Sequence, residues 1–244
     1  MQRLGGLRKL VVIALMAVGV AWLPVGAEAT LSYNLDFIFS GASPGTTGPW
    51  GTISFTTVGT NTLVTMAALG GASGLPAGEF ITFWGFNTTD TSFSVPGTVS
   101  GAATGTIAVC PTDPCTSAGF KADGDGFYDI VVSFETANNA GRLTAGESVS
   151  FTVTGALEGS FNDLSAPGGG NGTYNSAIHI QGIPTDCSAW AGNSTSPNKS
   201  AEAGAGAACG TVPEPGGLAL ALSGLVSMGG LIGTRFRSRS QKEA

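Results

Sequence analysis

Three aspartates stand close together in a glycine-rich stretch and are the residues with the clearest potential chemistry. Asp123 and Asp125 are separated by one glycine, and Asp129 follows four residues after Asp125. We name residues 123–129 the acidic turn. Calcium takes six to eight oxygen ligands at about 2.3 to 2.6 Å, and carboxylates at this spacing can converge on one ion. The stretch therefore predicts a calcium site, with the three aspartates as ligands and a main-chain carbonyl near Phe127 as a further ligand.

The acidic turn also fits a plain turn without a metal. A complete EF-hand loop that begins at Asp123 is excluded. Phe127 stands where its third alternate acid would be, and Phe134 stands at the twelfth position, where an EF-hand has a glutamate that binds calcium through both oxygens. Aspartate and glycine are common turn residues, and Asp129 would then open the strand that begins at Ile130. The sequence leaves the calcium loop and the plain turn both open.

His179 is the only histidine of the chain, and it lies in a period-2 apolar pattern. Its side chain therefore points to the face opposite Ile178 and Ile180. A single histidine without a partner nucleophile is a poor basis for catalysis. The sequence also has no HExxH motif, no defensible Ser-His-Asp order and no phosphate-binding glycine loop. It predicts no enzyme and no catalytic residue, although two glycosidase carboxylates could still meet in the fold.

The four cysteines predict disulfides. Four cysteines allow three pairings, of which we favour Cys110 with Cys115, closing a Pro-Thr-Asp-Pro loop, and Cys187 with Cys209, closing a polar segment. A zinc site is the weaker alternative, because the Cys-x4-Cys spacing has no histidine nearby. Disulfides form in oxidising compartments, so this pairing predicts a protein outside the cytoplasm.

The elements that must position these residues are short strands. Apolar-alternating or β-branched runs are separated by glycine, proline and asparagine, and no run before the C-terminal tail has a helical period. The runs are residues 31–39, 50–58, 62–69, 80–86, 104–109, 127–134, 148–154 and 177–180. This spacing predicts an all-β fold over residues 30–186, an antiparallel β-sandwich of the jelly-roll-like or immunoglobulin-like type. Residues 187–211 are rich in glycine, alanine and serine and predict a linker.

The charge distribution excludes one class of partner. Between Thr30 and Val212 the chain carries three basic and thirteen acidic residues, a net charge of about −10, whereas most basic residues stand at the two ends. An acidic surface repels phosphate backbones, so the sequence predicts no binding to nucleic acids. Divalent cations or basic partners fit this surface better.

The N-terminus predicts a signal peptide over residues 1–29. A basic start is followed by an apolar run at residues 10–23 and by small residues before Thr30. Cleavage is expected after Ala29, with Ala27 as the alternative. A retained transmembrane anchor would need a longer apolar run, since a span takes about 20 residues.

The C-terminal tail combines three features in order. A Pro-Glu-Pro tripeptide precedes an apolar run at residues 216–233, and a basic cluster follows at once. The apolar run predicts one transmembrane helix, and the arginines place its far end in the cytoplasm by the positive-inside rule. The residues that form the tripeptide and the cluster are Val212, Pro213, Glu214, Pro215, Arg235, Arg237 and Arg239.

Residues 212–244 resemble the PEP-CTERM sorting signal of Gram-negative bacteria, which is defined by these three features. The resemblance implies that the tail is recognised and removed by an exosortase, a membrane-embedded transpeptidase-like cysteine protease, in bacteria that often make exopolysaccharide. The alternative is an ordinary C-terminal anchor with a chance Pro-Glu-Pro. Residues Ala177, His179, Gln181 and Gly182 are also similar to an AHxQG segment of uncharacterised PEP-CTERM proteins, which brings no activity with it.

The resemblance implies an exported protein that passes through the inner membrane to the cell surface or the extracellular space. Its expected role is that of a structural or interaction protein of the exopolysaccharide or biofilm matrix, processed by the exosortase. The alternative is a secreted carbohydrate-binding or carbohydrate-active protein on the same β-sandwich. An exposed Trp50, Trp84 or Trp190 in a groove would favour that alternative, whereas buried tryptophans would belong to the core.

Overall fold

The chain folds into an all-β domain in a computed structural model that describes residues 29–207, except residues 124, 138–139, 168–171 and 203. Within these residues there are thirteen strands, two short 3-10 helices at Ala118–Phe120 and Glu158–Phe161, and no α-helix. The strands are β1 (Thr30–Gly41), β2 (Gly51–Val58), β3 (Asn61–Ala68), β4 (Phe80–Phe86), β5 (Ser100–Gly101), β6 (Gly105–Val109), β7 (Gly126–Phe127), β8 (Ile130–Phe134), β9 (Leu143–Thr144), β10 (Ser148–Thr154), β11 (Ala166–Pro167), β12 (Ser176–Ile183) and β13 (Cys187–Asn193).

Eleven strands form one continuous antiparallel sheet. Its order is β5-β10-β3-β2-β1-β13-β12-β4-β8-β6, and β9 pairs with β4 beside this path. The remaining two strands, β7 and β11, pair with each other. The predicted all-β, antiparallel class is therefore confirmed, with the strands hydrogen-bonded as a single sheet.

The sheet curls until distant strands face each other. Neighbouring strands lie about 4.8 Å apart, so a flat sheet would separate β2 from β4 by about 19 Å. The rings of Phe55 on β2 and Phe86 on β4 are only 5.4 Å apart between centroids. Phe86 also lies 6.2 Å from Phe151 on β10, six strands away in the sheet order. The inner core is enclosed by this curled sheet.

Residues 94–101 join the two edges of the sheet. Ser100 and Gly101 pair with β10, while Thr98 forms a bridge to Thr106 on β6. The Ile107 amide also donates to the carbonyl of Gly97 at 3.0 Å. Unpaired edge strands are sites of unwanted association. This segment covers both edges with backbone hydrogen bonds.

The central strands are covered on both faces. In β4 six of the seven residues are buried, which a strand with one face in water would not show. On the outer face lies a second group, which we name the outer aromatic cluster. Tyr174 stacks there on Phe39 at 4.8 Å between ring centroids. The cluster consists of Phe39, Ala122, Tyr128, Val131, Tyr174 and Ala177, with Phe37, Phe83, Phe120 and Trp190 packed against it.

Most predicted strands form, and two have the predicted bounds. The runs at residues 80–86 and 148–154 are β4 and β10. The run at 127–134 is divided, because Phe127 belongs to β7, which pairs with β11, whereas Ile130–Phe134 lies between β4 and β6. A change of pairing partner thus separates the acidic turn from the strand that follows it.

The prediction that residues 187–211 are a linker is wrong for a large part of this segment. Cys187–Asn193 forms β13, which lies between β1 and β12 in the middle of the sheet. Its small residues are required there, because a Cβ on Gly192 would lie 2.4 Å from the ring of Tyr174. Residues after β13 also hold to the domain, since the Glu202 amide donates to the Phe39 carbonyl and the Gly206 amide to the Gly41 carbonyl. The folded domain therefore extends beyond residue 186.

Candidate functional site

Asp123 of the acidic turn lies against the end of β1. Its side chain is exposed, and its Oδ2 accepts a hydrogen bond from Ser40 Oγ at 3.1 Å. The same Ser40 hydroxyl oxygen lies 3.0 Å from Glu202 Oε2. Asp123 is thus held by Ser40 on β1, and Glu202, from the segment that follows β13, lies within hydrogen-bond distance of the same hydroxyl.

Asp125 points into the domain and is fully buried. Its carboxylate accepts hydrogen bonds from the Tyr128 hydroxyl and from Ser165 Oγ, the latter at 3.0 Å. Burial raises the pKa of Asp125 to about 7, and the hydrogen bonds from Tyr128, Ser165 and the Gly126 amide partly oppose this. Burial, together with the nearby Asp125 carboxylate, also raises the pKa of Tyr128 well above its usual range. Asp125 is therefore a buried structural acid.

Asp129 faces a third environment. Its Oδ2 accepts a hydrogen bond from the Thr88 amide at 3.1 Å, and its own amide donates to Asn87 Oδ1 at 2.8 Å. Burial raises the pKa of Asp129; the Thr88 amide opposes the rise, whereas the charges of Asp163 and Asp113 add to it. Asp129 and Asp113 line a cavity of about 240 Å³ beside the disulfide loop.

The three aspartates are therefore held by different partners. Among the residues that the structure describes, no three His, Cys, Asp or Glu side chains are grouped so that they could hold a metal ion. The hydrogen bonds of Asp123, Asp125 and Asp129 favour the plain turn over the calcium loop. The sequence left both interpretations open because spacing along the chain does not show which way each side chain points.

His179 stands on the outer face of the sheet beside two aromatic rings. It stacks on Trp190 at 4.4 Å between ring centroids, and Trp190 meets Phe83 edge-on at 5.1 Å. Its Nδ1 lies 2.9 Å from Thr82 Oγ1, and burial lowers the pKa of the imidazole, an effect that the charge of Asp123 opposes. This is a packed histidine whose Nδ1 is hydrogen-bonded to the Thr82 hydroxyl.

The tryptophans divide between core and surface. Trp50 and Trp84 are buried, and the Trp84 indole donates to Ser176 Oγ at 2.9 Å. Trp190 is only half-buried and packs on the margin of the outer aromatic cluster. Trp190 is thus the one described tryptophan with a partly open ring on the surface.

Glu79 is the functional candidate that sequence reasoning missed. It precedes β4, only 2% of its surface is exposed, and neither carboxylate oxygen has a hydrogen-bond partner. Burial raises its pKa to about 7. It lines a cavity of about 510 Å³ at one end of the sheet. In the sequence it is a single acid after glycine, which is typical of an exposed turn.

The backbone of β12 accounts for the burial of Glu79. Gly182 has φ of +81°, and a Cβ there would lie 2.4 Å from the Gly78 carbonyl oxygen and 3.3 Å from the Glu79 Cα. Only glycine allows the two chain segments to approach this closely. The Glu79 amide also donates to the Pro76 carbonyl at 3.2 Å. The backbone at Glu79 therefore lies in a packed turn.

The cysteines agree with the predicted bridges as far as the structure describes them. Cys110 and Cys115 form a disulfide, as their spacing predicted. Cys187 is also disulfide-bonded, while its predicted partner Cys209 lies outside the described residues. No described cysteine is free.

The predicted sorting features lie beyond the described part of the chain. These are Val212, Pro213, Glu214, Pro215, Arg235, Arg237 and Arg239, together with the apolar run at residues 216–233. Residues 1–28 of the predicted signal peptide are likewise outside it. Within residues 29–207, apart from the gaps named above, no helix is both long and apolar enough to cross a bilayer.

Comparison with known proteins returned no match: no family model, no curated protein and no solved structure is significantly similar to this chain.

Proposed function

We propose that this chain is an exported protein of the cell surface or the extracellular matrix, sorted by its C-terminal tail and cleaved there by an exosortase. The observation that carries the proposal is the order of Pro213-Glu214-Pro215, the apolar run at 216–233 and the arginines that follow. Such a tail needs a signal peptide on the same chain, and the sequence has one. The proposed role of the β domain is structural or interactive and does not include a catalysed reaction.

Two features of the folded domain support export. The Cys110–Cys115 disulfide fits an oxidising compartment. Strand β1 begins at Thr30, directly after the proposed signal-peptidase site, so cleavage after Ala29 would leave the strand whole. The described domain reaches residue 207, which leaves only a short segment before the tripeptide.

We also propose that the curled sheet closes on its core as a sandwich of the jelly-roll-like or immunoglobulin-like type.

Mass spectrometry of the mature protein from its host tests this proposal. We expect a chain that begins at Thr30 and lacks the segment after Pro215. In a Glu214→Ala variant the tail should be retained, whereas Glu202→Ala, which removes another acid shortly before the tripeptide, should be processed normally. Intact Arg235 and Arg239 on the secreted wild-type protein would contradict the sorting proposal.

A carbohydrate-binding role is the second candidate, and Trp190 favours it. Its half-buried ring, next to Phe83 and His179, offers an aromatic surface of the kind on which sugar rings pack. We expect Trp190→Ala to weaken retention of the protein by the host's exopolysaccharide, while Phe93→Ala, a change at another partly buried ring, leaves it unchanged. Equal retention of both variants would remove this candidate.

A further inference from the structure

A groove lies between β10 and residues 94–101, which we name the joining segment because it connects the two edges of the sheet. The groove has a volume of about 570 Å³, within the range of about 300 to 1,000 Å³ that is typical of small-molecule sites. Residues of β10, of the joining segment and Leu63 on β3 line it. It shares no lining residue with the acidic turn or with the surface around Trp190.

The joining segment forms the groove by leaving β10 and returning to it. Ser94 exchanges two backbone hydrogen bonds with Thr154, at 2.9 and 3.0 Å, and Ser100 pairs with Ser150. Between these two contacts the joining segment turns away to pair with β6. Alternate residues of an antiparallel strand point their amide and carbonyl groups to the same side. The backbone of Thr152 therefore faces the groove.

The polar side chains that line the groove are all hydroxyls. Five of the six are exposed, and Ser150 is half-buried; the six are Ser94, Thr98, Ser100, Ser150, Thr152 and Thr154. No ionisable side chain is among the described residues that line the groove, whereas Leu63 and Pro96 add apolar surface. A hydroxyl both donates and accepts hydrogen bonds. The groove thus presents uncharged hydrogen-bonding groups beside apolar ones.

The hydroxyl surface continues from the groove across the neighbouring strands. Side chains in register form one row on β5, β10, β3, β2 and β1: Ser100, Ser150, Thr65, Ser54 and Ser32. At about 4.8 Å between neighbouring strands, this row is about 19 Å long. Strands β2, β3 and β10 contain no charged residue. A long uncharged ligand could therefore extend beyond the groove without meeting a charge on these strands.

These features fit an uncharged carbohydrate. Sugar hydroxyls donate and accept as serine and threonine hydroxyls do, and the C–H face of a sugar ring can pack on Leu63 and Pro96. An acidic polysaccharide would find no counter-charge in the groove and would be repelled by the acidic middle of the chain. A peptide that adds as a strand needs several open backbone positions, whereas only Thr152 faces the groove between Ser150 and Thr154.

We propose that this groove binds a segment of an uncharged polysaccharide. The hydroxyls of β10 and of the joining segment bond to sugar hydroxyls, and the row of serine and threonine residues contacts the sugar chain where it leaves the groove. The proposal rests on the carbohydrate-binding role and gives it a site distinct from Trp190. It does not depend on how the tail is processed.

Binding is tested on the full chain in a zwitterionic detergent that has no sugar head group. The probes are neutral hexasaccharides of glucose, mannose and galactose, and hexagalacturonate is the matched acidic compound. The readouts are the dissociation constant from calorimetry and the ¹H–¹⁵N shift of the Thr152 amide. We expect at least one neutral hexasaccharide to bind saturably and to shift this amide, and hexagalacturonate to bind more weakly.

A pair of double variants tests which hydroxyls are used. Ser150→Ala with Thr152→Val should weaken binding by about tenfold or more, since each lost hydrogen bond contributes about two- to tenfold. Ser133→Ala with Thr106→Val is the matched control, because these two residues are also exposed and in register on β8 and β6 but do not line the groove. Thr152→Ser keeps the hydroxyl and should bind close to the affinity of the wild type, which separates loss of the hydroxyl from loss of the fold.

Several results would overturn the proposal. They are no binding of any neutral hexasaccharide by the wild type, equal weakening by the two double variants, and hexagalacturonate binding as tightly as the neutral galactose compound. A hexasaccharide that binds no tighter than its monosaccharide would overturn the assignment to a polysaccharide. Trp190→Ala is measured with the same probes: loss of binding in this variant alone would overturn the groove and leave the Trp190 surface as the carbohydrate site.

Discussion

Asp125 should make the stability of the domain depend strongly on pH. The carboxyl is fully buried, and its pKa rises from 3.8 to about 7 on folding, chiefly because burial disfavours the charged form. The folded state therefore binds the Asp125 proton more tightly than the unfolded state does. The contribution of this group is fully present below the unfolded pKa and is lost as the pH rises to about 7.

The size of the effect follows from the difference between the two pKa values. At 1.36 kcal/mol for each pKa unit, the change from 3.8 to about 7 corresponds to about 4 kcal/mol of unfolding free energy. A typical domain has a total stability of about 5 to 15 kcal/mol, so this effect should be large. The Asp125→Asn variant keeps the size of the side chain and an oxygen for Ser165, but it cannot titrate.

The assay is urea unfolding of the wild type and of Asp125→Asn from about pH 4 to about pH 8. We expect the stability of the wild type relative to the variant to fall by about 4 kcal/mol over this range, with the change complete near pH 7. Using the difference between the two proteins removes the contribution of Glu79, which titrates in both. Asp186→Asn, at an exposed turn, is the matched control for removing one negative charge.

Two outcomes would refute the reasoning about Asp125. A difference between wild type and Asp125→Asn that stays constant within about 1 kcal/mol across this pH range would mean that the buried carboxyl is ionised in the folded state throughout. In a series extended down to about pH 2, a difference that grows in favour of the wild type between about pH 2 and about pH 4 would mean that the hydrogen bonds from Tyr128 and Ser165 outweigh burial.

The remaining predictions concern the disulfide, the packing of β13 and calcium. Replacing Cys110 and Cys115 by serine should lower the free energy of unfolding by about 2 kcal/mol, because the closed loop is short; denaturant titration of the variant under oxidising conditions measures it, and no change would mean that the bridge is unimportant. Gly192→Ala should cost about 1 to 3 kcal/mol by the same assay, since its Cβ would lie 2.4 Å from the buried Tyr174 ring; Gly159→Ala, with nothing within 4 Å, is the control. Adding millimolar calcium or EDTA should leave the Tm unchanged, because the aspartates of the acidic turn have separate partners; a Tm several degrees higher in calcium would restore the calcium loop.

Alternation of apolar and polar residues was enough to predict the all-β class and most strands. The run that became β10 alternates between buried and more exposed residues, whereas the run that became β4 is a continuous stretch of mostly large side chains buried on both faces. The disulfide between Cys110 and Cys115 was also predictable, because five residues of separation leave few other partners within reach. These features depend on local sequence, which explains why they could be inferred without a fold.

Strand β13 could not be predicted from its local sequence. Its glycine, alanine and serine residues have little apolar surface, so the sequence resembles a linker. Only the folded chain shows that Ala189 and Ala191 are fully buried in the sheet and that the Tyr174 ring fills the space over Gly192. Small residues are required in β13 because distant segments of the chain pack closely against it. This requirement leaves no periodic pattern in the sequence.

For the acidic residues, too, the sequence determined some properties and the tertiary structure determined others. The sequence determined that the middle of the chain is acidic and that three aspartates share one turn. Tertiary structure decided that Asp125 is buried and paired, that Asp129 faces Asp113 and Asp163, and that Glu79 is buried without a partner. Whether a carboxylate is a turn former, a buried acid or a binding group depends on desolvation and on donors from other strands. Those donors come from segments far away along the chain, so only the folded structure could assign the roles.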